Sequence, residues 1–296
     1  MAARIPDNGC NLCNLCDAPG TFATASEKQD IPAIARIMSG EMFTVWRCSN
    51  CGSLHSEQPV DLDYCYANYA VKDHQLNFHT RIAYRNRLAA LRKRGLERSN
   101  TVLDYGCGSG LFVSYLRQKQ YADVSGYDRF VAEYADERCL KRRYDVVLSY
   151  DVIEHDDHPR DFLRRMAALV KPDGLLVIET PNATGISLTA WQECFMDLHQ
   201  PYHRHILSEK ALLALCAGHG MEFLALDRRS PWDSLMPSVN SRFIWSYCQK
   251  GGDIETVIEP PNFGLVLRSP RLLFYMFAGY FYPTTGSLTA FFRCRK

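Results

Sequence analysis

Thr101-Val102-Leu103-Asp104-Tyr105-Gly106-Cys107-Gly108-Ser109-Gly110 is the stretch on which the fold turns. An apolar, β-branched run closed by a carboxylate enters a turn with three glycines, and Leu111 then opens a stretch with helical periodicity to Gln118. Strand, glycine turn and helix in that order bring backbone N–H groups against a ligand at a place where a Cβ would clash. Dinucleotide sites use such a turn too, but their fingerprint wants its third glycine where this chain has Leu111. Asp104, at the end of the strand, would repel a pyrophosphate and suits a cationic ligand instead. Eighteen residues after Gly110, Gly126-Tyr127-Asp128 closes a second strand. A carboxylate there can accept both hydroxyls of a ribose, at roughly 1.5–3 kcal/mol for each charge-assisted bond.

Outward from this stretch, strands are expected at 101–104, 123–127, 145–150, 174–179 and 222–227, and helices at 111–118, 160–170 and 208–217. Alternation of that kind predicts an α/β fold, a Rossmann-like, mostly parallel sheet with helices on both faces. Ser287 to Cys294 reads as a last strand, which leaves 59 residues, Arg228 to Gly286, as an insertion or cap too long for idle loop. Its Trp232, Phe243, Trp245 and Tyr247 either close a pocket or pack against the N-terminal module. Within it, the eleven mostly apolar residues Leu272 to Tyr282 are too short to span a membrane. Burial as a core or interface helix is the expectation, docking on a membrane surface the alternative. Asp73 to Arg98 reads as a basic amphipathic helix with a solvated charged face.

The chain resembles the class I S-adenosylmethionine (SAM)-dependent methyltransferases, and the likeness continues downstream. Tyr144-Asp145-Val146-Val147-Leu148-Ser149-Tyr150-Asp151-Val152-Ile153-Glu154-His155 is similar to the fourth strand and acidic turn of small-molecule members, and Leu169 to Asn182 to the turn into the fifth strand. The resemblance implies that Asp104, Gly106, Gly108 and Gly110 hold the amino-acid end of SAM, that Asp128 holds the ribose, and that Asp151 belongs to the same cofactor site. Only sixteen residues separate Asp128 from Asp145, too few for the usual helix, strand and loop, so a missing or vestigial third strand is expected and no adenine contacts are assigned.

Cys13-Asn14-Leu15-Cys16 and Cys48-Ser49-Asn50-Cys51 are two C-x-x-C knuckles 31 residues apart. Four thiolates from Cys13, Cys16, Cys48 and Cys51 can close a tetrahedron around Zn²⁺ with no open position, which marks a structural site. Cys10 extends the first knuckle and is either a substitute for Cys13 or a bystander. Cys, Gly, Pro and Asn dominate the first sixty residues, so the metal is expected to fold a segment without a core of its own. Residues 1–62 are taken as the zinc-binding module, 63–98 as a helical linker on the substrate side with Tyr64, Tyr66 and Tyr69, and 99–296 as the methyltransferase domain with 228–286 as its cap. A four-cysteine module ahead of such a domain resembles bacterial sugar and natural-product enzymes, including the zinc-containing deoxysugar C-methyltransferases.

For chemistry, His199-Gln200-Pro201-Tyr202-His203-Arg204-His205 is the richest segment. His205 is expected as the general base, with Tyr202 beside it and His155 in reserve, because a neutral imidazole can take the proton of an acceptor hydroxyl. The deoxysugar enzymes align here as Tyr-x-Glu-His. Arg204 stands where they have the glutamate, which favours O-methylation over C-methylation. A metal bound by these histidines is disfavoured, since no carboxylate lies within the segment.

With 34 basic and 33 acidic residues, the net charge of +1 gives none of the field of a non-specific nucleic-acid binder. A small-molecule acceptor is therefore expected. An RNA or DNA methyltransferase, with the zinc module and basic helix as contacts, and a non-catalytic zinc-stapled binding protein are the alternatives. No apolar run of leader type opens the chain, so the twelve cysteines are expected as reduced thiols or metal ligands in a cytoplasmic protein.

Overall fold

The computed structural model describes residues 9–67 and 76–295; Tyr69 and the first residues expected for the basic helix lie outside them. Three antiparallel strands come first, β1 (Glu27–Pro32), β2 (Met42–Arg47) and β3 (Leu54–Ser56), followed by α1 (Leu62–Ala67) and α2 (Phe78–Lys93). The α2 helix starts where the Asn77 side chain accepts from the Thr80 amide, and Gly95, at φ +97°, turns the chain away after its end. Ile82, Leu88 and Leu91 face the core while the arginines between them face outward, with one exception described below.

Next come β4 (Val102–Tyr105), α3 (Leu111–Gln118), β5 (Val124–Tyr127), β6 (Tyr144–Tyr150), α4 (Pro159–Ala168) and β7 (Val170–Pro181). The chain continues through α5 (Phe195–Leu198), β8 (His205–Ile206), α6 (Glu209–Gly218) and β9 (Met221–Asp227) to α7 (Ser241–Gly251), α8 (Phe263–Leu267), α9 (Pro270–Ala278) and β10 (Ser287–Cys294). The large sheet runs β5-β4-β6-β7-β10-β9. Its first four strands are parallel, and β10 is inserted antiparallel to both β7 and β9. Between Asp128 and Tyr144 there are only two 3₁₀ turns, Ala132–Tyr134 and Glu137–Lys141, so β5 is the edge and a third strand is absent from this stretch. All four parallel strands therefore end on one side, and the turns that follow them share one space.

Two expectations meet the structure differently. The N-terminal segment has no core of its own but a shared one: Ile31, Val45 and Leu54 pack with Ala183, Ile186, Leu188, Leu198 and Ile206 of the larger domain. β8 extends the small sheet, pairing Leu54 with Ile206 and His55 with His205, and the Arg47 guanidinium donates to the carbonyls of Ala183 at 2.9 Å and Ile186 at 2.7 Å. The second concerns α9, of which only Leu272 is buried. Phe274, Phe277 and, just past the helix, Phe281 face outward. Among the described residues no helix is long and apolar enough to cross a membrane.

Candidate active site

A cavity of about 1320 Å³ lies at the carboxyl ends of β4, β5, β6 and β7, with α2 and the cap as its other walls. Ligand pockets usually hold ~300–1,000 Å³, so there is room for two molecules side by side. At one end is the glycine turn. Gly106, Gly108 and Gly110 have φ of +79°, +54° and +73°, and Gly110 is the N-cap of α3. A Cβ at Gly106 would strike Val152, and one at Gly110 the ring of Tyr134. Left-handed backbone and close approach both require glycine here.

Asp104 is buried, and burial, reinforced by Asp128 and opposed by Arg87, raises its carboxyl to about 7. Asp128 accepts from the amides of Gly108 and Phe130, each at 2.9 Å, which fixes its carboxylate at the rim of the turn. Asp151, in a left-handed conformation at φ +55°, lines the cavity as well. Burial and the nearby Glu179 raise its carboxyl, against the pull of Arg87. Arg87 is the inward-facing arginine of α2. It pairs with Glu179 and with Asp151 at 3.2 Å, and lies 4.2 Å over the Tyr150 ring. The Arg87 guanidinium thus stands beside Asp151 and Glu179, and the acidic lining around the glycine turn suits a ligand with a positive centre.

The far end holds histidines. His155 and His203 line the cavity, and the buried Glu154 lies behind them. His155 Nδ1 donates to the Tyr202 carbonyl at 3.0 Å and His203 Nδ1 to the Asp197 carbonyl at 2.7 Å. Each Nε2 is therefore a bare lone pair. They lie 4.0 and 3.9 Å from Glu154 Oε1, and that oxygen has no hydrogen-bond partner, while Oε2 accepts from the Thr180 hydroxyl at 3.0 Å. Burial disfavours the charged form of all three groups: it raises Glu154 well above the carboxylate range, lowers His155 to about 4 and holds His203 well below the usual imidazole range.

The other two expected catalytic residues lie elsewhere. His205 is buried in β8, away from the cavity lining. The Asn14 amide, which also donates to the Asp157 carbonyl, lies 3.2 Å from His205 Nε2, and His205 Nδ1 and His55 Nδ1 share a hydrogen bond at 3.0 Å. Both nitrogens are thus committed to the seam between the two sheets. Tyr202 is buried too, its hydroxyl donating to the Cys65 carbonyl at 3.2 Å. Glu154, His203, Arg87 and Glu179 escaped sequence reasoning. Glu154 and His203 sat inside segments already singled out, but only the fold brings β6 and the loop after α5 together, and it supplies the carboxylate which the histidine segment lacks.

In the N-terminal module, Sγ of Cys13 lies 3.7 Å from Cys51 and 3.6 Å from Cys16, and Cys16 lies 3.8 Å from Cys48. A Zn–S bond of about 2.3 Å puts the corners of a tetrahedron about 3.75 Å apart, so the four sulfurs fit the ion.

A family model described as a methyltransferase domain matches residues 75–226, half of the chain. The ubiquinone biosynthesis O-methyltransferase of Bradyrhizobium diazoefficiens is 36% identical over 101 residues, 27% of this chain and 40% of that protein. Its counterpart in Caulobacter vibrioides is 32% identical over 132 residues, 33% of this chain and 52% of that protein. Across these two curated relatives, the chain spans only 40–52% of their length. A solved SAM-dependent methyltransferase from Archaeoglobus fulgidus, 17% identical, covers 73% of this chain and 94% of its own, with a TM-score of 0.44.

Proposed function

Given that the chain belongs to the methyltransferase-domain family, we propose that it transfers the methyl group of SAM to a hydroxyl oxygen of a small-molecule acceptor, with His155 and His203, backed by Glu154, taking the proton. The observation that carries this reading is one continuous cavity with the acidic glycine turn at one end and two imidazole lone pairs at the other.

SAM supplies an electrophilic methyl on a sulfonium. The chain's part is to hold and orient. Asp104 and Asp151 face the cationic end, the backbone at Gly106, Gly108 and Gly110 lets the ligand lie close, and Asp128 takes the ribose hydroxyls. Positioning of two reactants in this way can supply ~7–11 kcal/mol of the barrier. As the acceptor oxygen attacks, its proton passes to Nε2 of His203 or His155. The new imidazolium then has Glu154 Oε1, an acceptor oxygen without another hydrogen bond, about 4 Å from its Nε2. Trp232, Phe243 and Trp245 of the cap line the cavity and keep the acceptor end apolar. Zinc in the N-terminal module, held by Cys13, Cys16, Cys48 and Cys51, is a structural ion in this reading and takes no part in the transfer.

Replacing His203 by Ala, or Glu154 by Gln, should lower turnover roughly 10²–10⁴-fold, the usual range for a lost general base, while calorimetric SAM affinity stays put. Unchanged turnover in both would refute the base assignment. Glu154, His155 and His203 also have ligand atoms within 4.8 Å of one another, a spacing that a divalent ion would accept in place of a shared proton. Turnover that survives chelation with the zinc module still loaded favours the proton; turnover that is lost and returns with added Mg²⁺ favours the ion.

A further inference from the structure

The cap has a second surface, which meets the cavity lining at Phe263. Phe263 and Leu267 on α8, Phe274 and Phe277 on α9, and Phe281 beyond it are all exposed, Phe277 by 65% and Phe281 by 68%. Residues 263 and 267 are one helical turn apart, and 274, 277 and 281 follow the spacing of a single helix face. Val266 and Met276, on the inner side of the same helices, line the cavity, and Phe263 belongs to both surfaces. Scattered exposed apolar residues need no explanation, but four large ones on two adjoining helices, with Phe281 just beyond and Phe263 also lining the cavity, mark an interaction surface.

Charge selects the occupant. No Asp or Glu follows Glu259 in the chain, and between it and Arg293 the only charged residues are Arg268 and Arg271, both exposed. Arg271 heads the stripe that runs on to Phe274, Phe277 and Phe281. A second copy related by two-fold symmetry would set these cationic helices, which carry no carboxylate of their own, against themselves. An anionic lipid surface offers apolar depth for the phenylalanines and phosphates for the arginines. We propose that α8 and α9 dock the protein on an anionic phospholipid surface, lying in the interface with the cavity mouth turned toward the bilayer, where an amphiphilic molecule can enter directly. The helices are too short to span, so the docking is peripheral. It goes beyond the methyl-transfer reading and stands without it.

The full chain would be sedimented with vesicles of phosphatidylcholine alone, or with about a third phosphatidylglycerol. Binding should appear with the anionic vesicles and weaken with salt. Phe274→Asp with Phe277→Asp should cut the partition at least about tenfold, and Arg268→Gln with Arg271→Gln should remove the preference for phosphatidylglycerol, both pairs retaining SAM affinity as evidence of an intact fold. Wild-type protein that stays in the supernatant with both vesicles overturns the proposal, as do variants that bind like wild type. A lipid-free dimer that the phenylalanine substitutions dissolve would overturn it as well, by giving the face to a second copy.

Discussion

In the proposed reading Asp104 and Asp128 divide the recognition of SAM between charge and hydrogen bonding, and the division is measurable. Asp128→Ala removes two charge-assisted bonds and should weaken SAM binding by one to a few orders of magnitude in calorimetry; unchanged affinity would remove Asp128 from the site. Asp104 makes binding pH-dependent. Its carboxyl, raised to about 7 in the free protein, must ionise to meet a cationic ligand, so the bound state has the lower value and binding releases a proton. Affinity should therefore be full above pH 7 and fall by up to about tenfold per unit as the pH drops below it. His155, lowered to about 4, sets a different limit. With SAM saturating, the acidic limb of kcat should lie well below that of kcat/KM for SAM. Coincident limbs near pH 6.5 would mean an ordinary exposed histidine is the base. Replacement of His205, by contrast, should lower stability without moving either limb, since its nitrogens join β3 to β8.

At the scale of elements, the proposed zinc site and β8 would act together to fasten the N-terminal sheet. Cys48→Ser should lower zinc content from one equivalent per chain and lower the melting temperature, with the transfer chemistry at permissive temperature little changed; full stability without zinc would contradict a structural site. The sequence made the parallel strands, the last strand and the α3 helix legible because each has its own periodicity and its own punctuation, glycine after β4 and Ser208 capping α6 with its hydroxyl on the Ala211 amide. Four cysteines at knuckle spacing were legible for the same reason. The strands β1 to β3 were not, because their apolar residues are few and complete their core only with Ile206, Leu198 and Ala183 from far along the chain. Nor was the proposed proton-taking group. The segment drew attention to His205, which lies in β8 at the seam, whereas His203, in the loop before that strand, lines the cavity. Local pattern cannot tell where a loop residue will be carried by the fold.

For the whole molecule, one architecture serves two surfaces: the sheet presents the glycine turn, and the cap both roofs the cavity and shows its phenylalanines to the outside. A net charge of +1 and a mostly apolar acceptor end are consistent with an organic acceptor rather than a polyanion. Incubating the purified protein and methyl-labelled SAM with fractionated lysate tests this most directly. Label should enter the small-molecule fraction as an oxygen-bound methyl group, and its entry should be lost with Glu154→Gln. Label recovered in the nucleic-acid fraction, or no transfer by a protein that binds SAM tightly, would contradict it.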